Sequence, residues 1–330
     1  MTKNGLYSVA EATALIASGK ILLLAGDEAL LTQLPAGNWI GGTAVSFMTG
    51  EGGMTNYDRV FVHDLTGIAR SARIKRYTAD DLAHIGADYP ASGFSVVIVP
   101  GGSDVHRRFA KEVQNYEGVF NSPLLGWIAA VDVAAIGKRE PKVFAGSPTP
   151  ITGDAVVIHV ELQPGKMAVL DIINPFRPGN GDTIVFDSEG FSATGECRIA
   201  DQPANLARYI RDNAIDTKLP LIADYNGAHI NVSIQSVDDA TGTVRFYAPI
   251  FPGIAYRFAE PVVDYVEAFE NAGNTGADGL AFSCNCILNY MYAELEGEMT
   301  GNFDGPVTFG EIAYMVLNQT VVYLKIIDIA

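Results

Sequence analysis

Between Arg257 and Lys325 the sequence has neither lysine nor arginine, while ten Asp or Glu residues fall in the same interval. The whole chain of 330 residues carries a formal net charge of -16. Nucleic acids and anionic membrane surfaces are held by basic patches, so partners of those two classes are not expected. Cysteine is also scarce. Three residues, an odd number in a long chain, do not make a disulfide framework and suit a reducing compartment. Long hydrophobic runs are missing too. The first apolar run, Ile21 to Ala25, is far too short to span a bilayer, and the N-terminus lacks the apolar core of a signal peptide. A cytoplasmic protein is the expectation.

What is present is ample core material. The chain is 48% hydrophobic and 18% charged, which excludes a disordered chain and suits one large or two ordinary domains. Short apolar runs alternate with amphipathic segments. Ser8 with Glu11 forms a capping box for a helix reaching Ala17, and Asp27 can cap a second helix from Glu28. Asn38 to Met48 reads as a strand interrupted by paired glycines, with Gly50 to Gly53 as a loop. Arg59 to Leu65, Ala69 to Tyr77 and Phe94 to Val99 read as strands, and Pro100-Gly-Gly-Ser opens a helix. Arg70, Arg73, Lys75 and Arg76 are a solvated strand face.

Pro123 to Ala130 repeats the aromatic-and-glycine character of the Trp39 stretch. Asp154 to Leu162 and Lys166 to Ile173 are expected to pair as a hairpin across Gln163-Pro-Gly165. Pro175 to Asp182 is loop-like and lies near a domain boundary. A helix after Pro203 is followed by strands at Leu219 to Ala223, His229 to Val237 and Thr243 to Tyr247. Pro261 to Glu270 has helical spacing, Ala277 to Ser283 is a strand, and a last strand closes the chain. Hairpins mixed with helices predict an α/β (α+β) protein of two domains, 1–195 and 196–330, with mixed, largely antiparallel sheets covered by helices.

Chemistry-bearing residues concentrate near the C-terminus, in Gly276 to Cys286, Gly305 to Ala313 and Leu317 to Leu324. Cys284 and Cys286 share one strand face, yet a metal would need further Cys or His nearby, so no metal is expected. As a nucleophile Cys284 would need a lowered pKa. Packing is the simpler role, because unpaired cysteines are among the most buried residues. No Gly-x-Cys-x-Gly or Gly-x-Ser-x-Gly elbow follows Val96 to Ser103, and that loop lacks the Gly-Lys-Ser/Thr of a P-loop. His159 reads as a structural histidine. Glu311, in a Gly-Glu turn, is the polar residue least readily dismissed, suited either to ligand contact or to tying the turn to a neighbouring loop.

The order of these motifs resembles the FIST sensory proteins, a class of small-ligand-binding signalling domains. Ile40-Gly-Gly-Thr-Ala44 with Thr49-Gly50-Glu51, Leu125 to Ala130, and Val143 to Gly146 before Asp154 to Ile158 are similar to its N-terminal region. Leu280 to Cys284, Phe309 to Ile312 and Asn318 to Thr320 are similar to its C-terminal region. In one respect the chain departs from the pattern, for Cys284 is followed by Asn-Cys-Ile-Leu and lacks the arginine common in that family. The resemblance implies a sensor that binds a small polar metabolite, an amino acid or derivative, and signals through a protein partner. Its site would lie at Thr43, Cys284, Asn285, Glu311 and Asn318. No cofactor is expected, and the sequence leaves the oligomeric state open. A cysteine-dependent hydrolase or transferase at Cys284 is the alternative.

Overall fold

The computed structural model describes residues 3–225, 228–273 and 279–329. The beginning of the expected Gly276 to Cys286 stretch, residues 276–278, therefore lies outside the described residues, as does the start of the expected strand at Ala277. The fold is mixed α+β, and the chain forms two compact units. The first comprises 1–173, 266–316 and 321–330, and the second comprises 174–265 and 317–320. The first unit is thus discontinuous in sequence, where the reading from sequence divides the chain into the contiguous halves 1–195 and 196–330.

Three sheets build the first unit, apart from Leu317, the last residue of one edge strand, which is counted with the second. A five-stranded sheet runs in the order Gly5–Tyr7, Val60–Asp64, Leu22–Gly26, Trp39–Thr43, Val143–Ala145. A six-stranded sheet runs Met315–Leu317, Glu311–Ala313, Leu124–Ala129, Gly93–Pro100, Ala155–Leu162, Ala69–Tyr77. The third, also six-stranded, runs Lys166–Ile173, Val321–Asp328, Leu280–Cys286, Gly305–Thr308, Ser46–Thr49, Gly52–Thr55. Parallel pairing joins Leu22–Gly26 to Trp39–Thr43, Gly93–Pro100 to Leu124–Ala129, and Leu280–Cys286 to Gly305–Thr308. Most other neighbours in these sheets pair antiparallel.

An aromatic row ties these sheets together. Phe47 stacks on Phe61, His63 lies between Phe61 and Phe282, and Phe282 stacks on Trp127 at 5.7 Å. Their strands belong to all three sheets, so each ring buries its apolar area against a different layer. Burying a ring of this size contributes about 2–3 kcal/mol before entropic losses.

Local signals act as read from sequence. Ser8 Oγ accepts from Glu11 N while Glu11 accepts from Ser8 N, which starts the helix Val9–Ala17. Asp27 caps Glu28–Leu31, and Ser103 Oγ accepts from His106 N at the start of Asp104–Glu112. Arg73 and Lys75 bind Asp88, Arg76 binds Asp154 and Arg70 reaches Glu161, so the basic strand face is neutralised locally.

Several expectations are corrected. Asn38 to Met48 is two strands, Trp39–Thr43 and Ser46–Thr49, which leave each other at Ala44-Val45 and enter different sheets. Gly52–Thr55 is a strand paired with Ser46–Thr49, so most of the expected Gly50–Gly53 loop is a hairpin. Lys166–Ile173 does not pair with Ala155–Leu162. Both edges of Ala155–Leu162 are taken by Ala69–Tyr77 and Gly93–Pro100, and Lys166–Ile173 pairs instead with Val321–Asp328. His229 to Val237 likewise splits into Ala228–Val232 and Ile234–Asp238, in two sheets. The helix expected from Pro261 begins at Tyr265.

The second unit holds a six-stranded sheet, Gln202–Asn205, Glu196–Ile199, Ile184–Val185, Ala255–Phe258, Leu221–Tyr225, Ala228–Val232, and a three-stranded sheet, Gly190–Thr194, Thr243–Ile250, Ile234–Asp238. Its core gathers Phe186, Leu221, Phe246 and Tyr256 with the helix residues Leu206 and Ile210. Among the described residues no helix is long and apolar enough to cross a membrane.

Candidate functional site

Of the residues expected to bind a ligand, three surround one strand of the first unit, Leu124–Ala129. Thr43 ends the neighbouring strand Trp39–Thr43. Its carbonyl accepts from Ala130 N at 2.7 Å, and its hydroxyl accepts from Lys142 N at 3.0 Å. Cys284 donates its thiol to the Gly126 carbonyl at 3.4 Å. Glu311 lies opposite Trp127 in an antiparallel pair, so it belongs to a strand rather than to the expected turn. Gly126 and Gly42 allow this close packing. A Cβ on Gly42 would stand 2.9 Å from Trp127 Nε1, and one on Gly126 would stand 1.8 Å from the Val97 carbonyl.

Asn285 sits one residue beyond Cys284. Its Oδ1 accepts from Cys286 N at 2.7 Å and from Asn289 Nδ2 at 2.9 Å, which fixes the turn from the strand Leu280–Cys286 into the helix Ile287–Tyr292. Thr308 Oγ1 links the Asn285 carbonyl to that of Gly310. Asn318 belongs to the second unit. There its carbonyl accepts from Asn231 Nδ2 at 3.0 Å, while Ser233 Oγ donates to Gln319 Oε1 at 2.6 Å and Gln319 Nε2 donates to the Lys218 carbonyl. The Asn-Gln-Thr motif thus carries part of a buried amide network.

All five residues are at most 3% exposed. Burial, helped by the charge of Glu311, pushes the Cys284 thiol well above its ordinary pKa, the reverse of what a nucleophile requires. His159 is held on both sides, by Ser95 Oγ at Nδ1 and by Tyr77 OH at Nε2, and burial lowers its pKa to about 4. Among the described residues no three His, Cys, Asp or Glu side chains gather as a metal would need.

An accessible concavity lies elsewhere in the first unit. A cleft of about 200 Å³ has one wall of Val45, Ser46 and Thr55, and a second of Ala130 to Val133. Ile287, Tyr290, Met291 and Val307 close it. Val45 follows the strand Trp39–Thr43, and Ala130 follows Leu124–Ala129, so two adjoining strand ends open into this space. Its polar groups are few. Ser46 Oγ and Thr55 Oγ1 lie 3.3 Å apart. Asp132 Oδ1 accepts from Ala134 N at 2.8 Å, and Asp132 Oδ2 accepts from Tyr57 OH. Those two bonds hold the Asp132 carboxyl below its usual range. Tyr290 OH donates to Glu296.

None of the five expected residues lines this cleft. The sequence signal that leads to it is the repeated aromatic-and-glycine character of the Trp39 and Trp127 stretches, whose C-terminal ends border it. Ser46, Thr55, Asp132 and Tyr290 come from separate segments, and no motif links them.

No curated protein matches the chain. Residues 7–327 match a family of unknown function, DUF6976. With that match spanning nearly its whole length, the chain belongs to the DUF6976 family.

Proposed function

We propose that this protein binds a small metabolite in the cleft bordered by Ser46, Thr55, Asp132 and Tyr290, and acts as a sensor rather than an enzyme. The observation that carries this reading is the cleft itself, an apolar concavity at adjoining strand ends with a few converging polar groups. Its volume lies under the ~300 Å³ at which pockets for drug-sized ligands begin, which suits a metabolite of about amino-acid size. The sensory role and the relay to a protein partner rest on the FIST-like order of motifs. Hydrolysis or transfer at Cys284 draws no support from a thiol that is 1% exposed with a raised pKa.

A thermal-shift screen of small metabolites at millimolar concentration tests the reading. A ligand at a hundred times its Kd adds about 2.7 kcal/mol of stability, enough to raise Tm by several degrees. Loss of the shift when Ser46→Leu fills the cleft is the expected companion result. A screen in which no compound moves Tm of the folded protein removes the proposal.

A further inference from the structure

We infer that the cleft selects a small organic cation with an apolar body, an alkylamine rather than an amino acid, with Asp132 as the residue that reads the charge. This rests on the reading of the cleft as a ligand site. Three observations lead to it.

The first is the charge of the lining. Among the described residues Asp132 is the one carboxylate on the cleft walls, and neither lysine nor arginine lines it. The second is the disposition of two cations in the segment that follows Asp132, one of which, Arg139, acts on its charge. Arg139 is held by Asp27 at 2.8 and 3.2 Å, and Lys142 by Glu28 at 2.5 Å. Two cations thus face three carboxylates, Asp27, Glu28 and Asp132, and a negative charge is left over. A ligand carboxylate would find both of these cations already paired and would meet Asp132 instead, whereas an ammonium would find a partner. The third is the rest of the wall. Val45, Val131, Val133, Ile287, Met291 and Val307 present branched and thioether surface that suits an alkyl body.

Asp132 is also in place before a ligand arrives. Tyr57 OH and Ala134 N hold its two oxygens in orientation while each keeps a further lone pair to accept from an ammonium. Preorganised acceptors of this kind lose little entropy on binding.

The test compares three probes of one shape: 3-methylbutylamine, 3-methylbutan-1-ol and leucine, each titrated into the full chain by calorimetry and thermal shift. The amine is expected to bind about threefold to fivefold tighter than the alcohol, with leucine the weakest, a ratio typical of one partly exposed charge pair. Asp132→Asn should bring the amine down to the alcohol's affinity and leave the alcohol unchanged. Tyr57→Phe, which keeps the carboxylate, should retain the preference for the amine. Leucine binding as well as the amine, or an amine affinity unmoved in Asp132→Asn, overturns the inference while leaving the cleft a ligand site. Failure of all three probes to bind overturns the inference and counts against the cleft as well.

Discussion

Asn174 and Asn231 exchange their side-chain amides. Asn174 Nδ2 donates to Asn231 Oδ1 at 2.8 Å, and Asn231 Nδ2 donates back to Asn174 Oδ1 at 3.0 Å. Asn231 is fully buried, and its Nδ2 also reaches the Asn318 and Gln319 carbonyls. The 317–320 segment is thereby pinned within the second unit, although in sequence it lies far from the remainder of that unit. Asn231→Ala leaves an amide and two carbonyls buried with fewer partners, so a loss of about 2–4 kcal/mol is expected. Asn174→Ala should cost less, because Asn231 keeps its carbonyl partners. Urea unfolding of the two variants checks the order. Equal and small losses would show that the network contributes little.

Gly126 is a position at which no side chain fits. It has φ 150°, and a Cβ there would lie 1.8 Å from the Val97 carbonyl on the parallel neighbouring strand. Gly126→Ala must either separate two central strands or break their ladder, so it should cost upwards of about 4 kcal/mol and abolish soluble expression. Gly153→Ala is the control, since a Cβ there meets nothing within 4 Å. A Gly126→Ala protein that melts near the parent would refute this packing.

The thiols should be silent in the native state. Cys197, Cys284 and Cys286 are all buried, and burial raises the pKa of Cys197 and Cys284. Iodoacetamide at pH 8 should label none of them until urea unfolds the chain, after which all three react. Cys284→Ala should cost about 1–3 kcal/mol through the cavity it leaves. A native Cys284 that alkylates with a depressed pKa would revive the cysteine-enzyme reading.

Acid should weaken the fold between pH 6.5 and 4. Burial pushes the pKa of His63 to about 3, and of His106 and His159 to about 4. Each folded value lies below the ordinary 6.5, so the unfolded chain binds the proton first. The stability concerned is complete above pH 6.5 and is lost as pH falls through the folded values. Asp304 acts oppositely. Burial raises its carboxyl to about 6, and its favourable share is complete below the ordinary 3.8 and is lost as pH rises through 6. Three histidines outweigh one carboxylate, so the urea midpoint should drop steadily from pH 6.5 to 4. Asp304→Asn should stabilise the protein at pH 7 by about 1 kcal/mol and steepen that drop. A midpoint that rises on acidification would contradict the assignment.

Much of the local structure was legible in the sequence because its causes are local. Ser8 with Glu11, Asp27, and the Asp238-to-Gly242 hairpin connection each act within a few residues of themselves. The partner of Lys166–Ile173 was not legible, because the pairing is with Val321–Asp328 and no turn chemistry announces a partner that remote. The break at Ala44-Val45 was hidden for a related reason. Neither residue disrupts a strand, and only the competing pairings of Trp39–Thr43 and Ser46–Thr49 separate the two. Small polar residues in apolar strands drew attention to Cys284 and Glu311. The same pattern marks buried polar groups, which is where the structure puts both. Asp132 follows one of the two aromatic-and-glycine strands, but its importance depends on Ser46, Thr55 and Tyr290 arriving from elsewhere.

The place of Val321–Asp328 bears on how the protein is made. This strand is sandwiched between Lys166–Ile173 and Leu280–Cys286, so neither of those has its full set of backbone partners until it arrives. On the ribosome, residues 166–173 emerge some 150 residues before the strand that completes them, which at ~5–20 residues per second is a wait of roughly eight to thirty seconds. Through that interval Met167, Val169 and Ile172 lack their strand partner, an apolar edge of the kind that invites pairing with another chain. The topology therefore leaves its demand on folding during synthesis, in an edge that waits for its partner, rather than in the finished sheet.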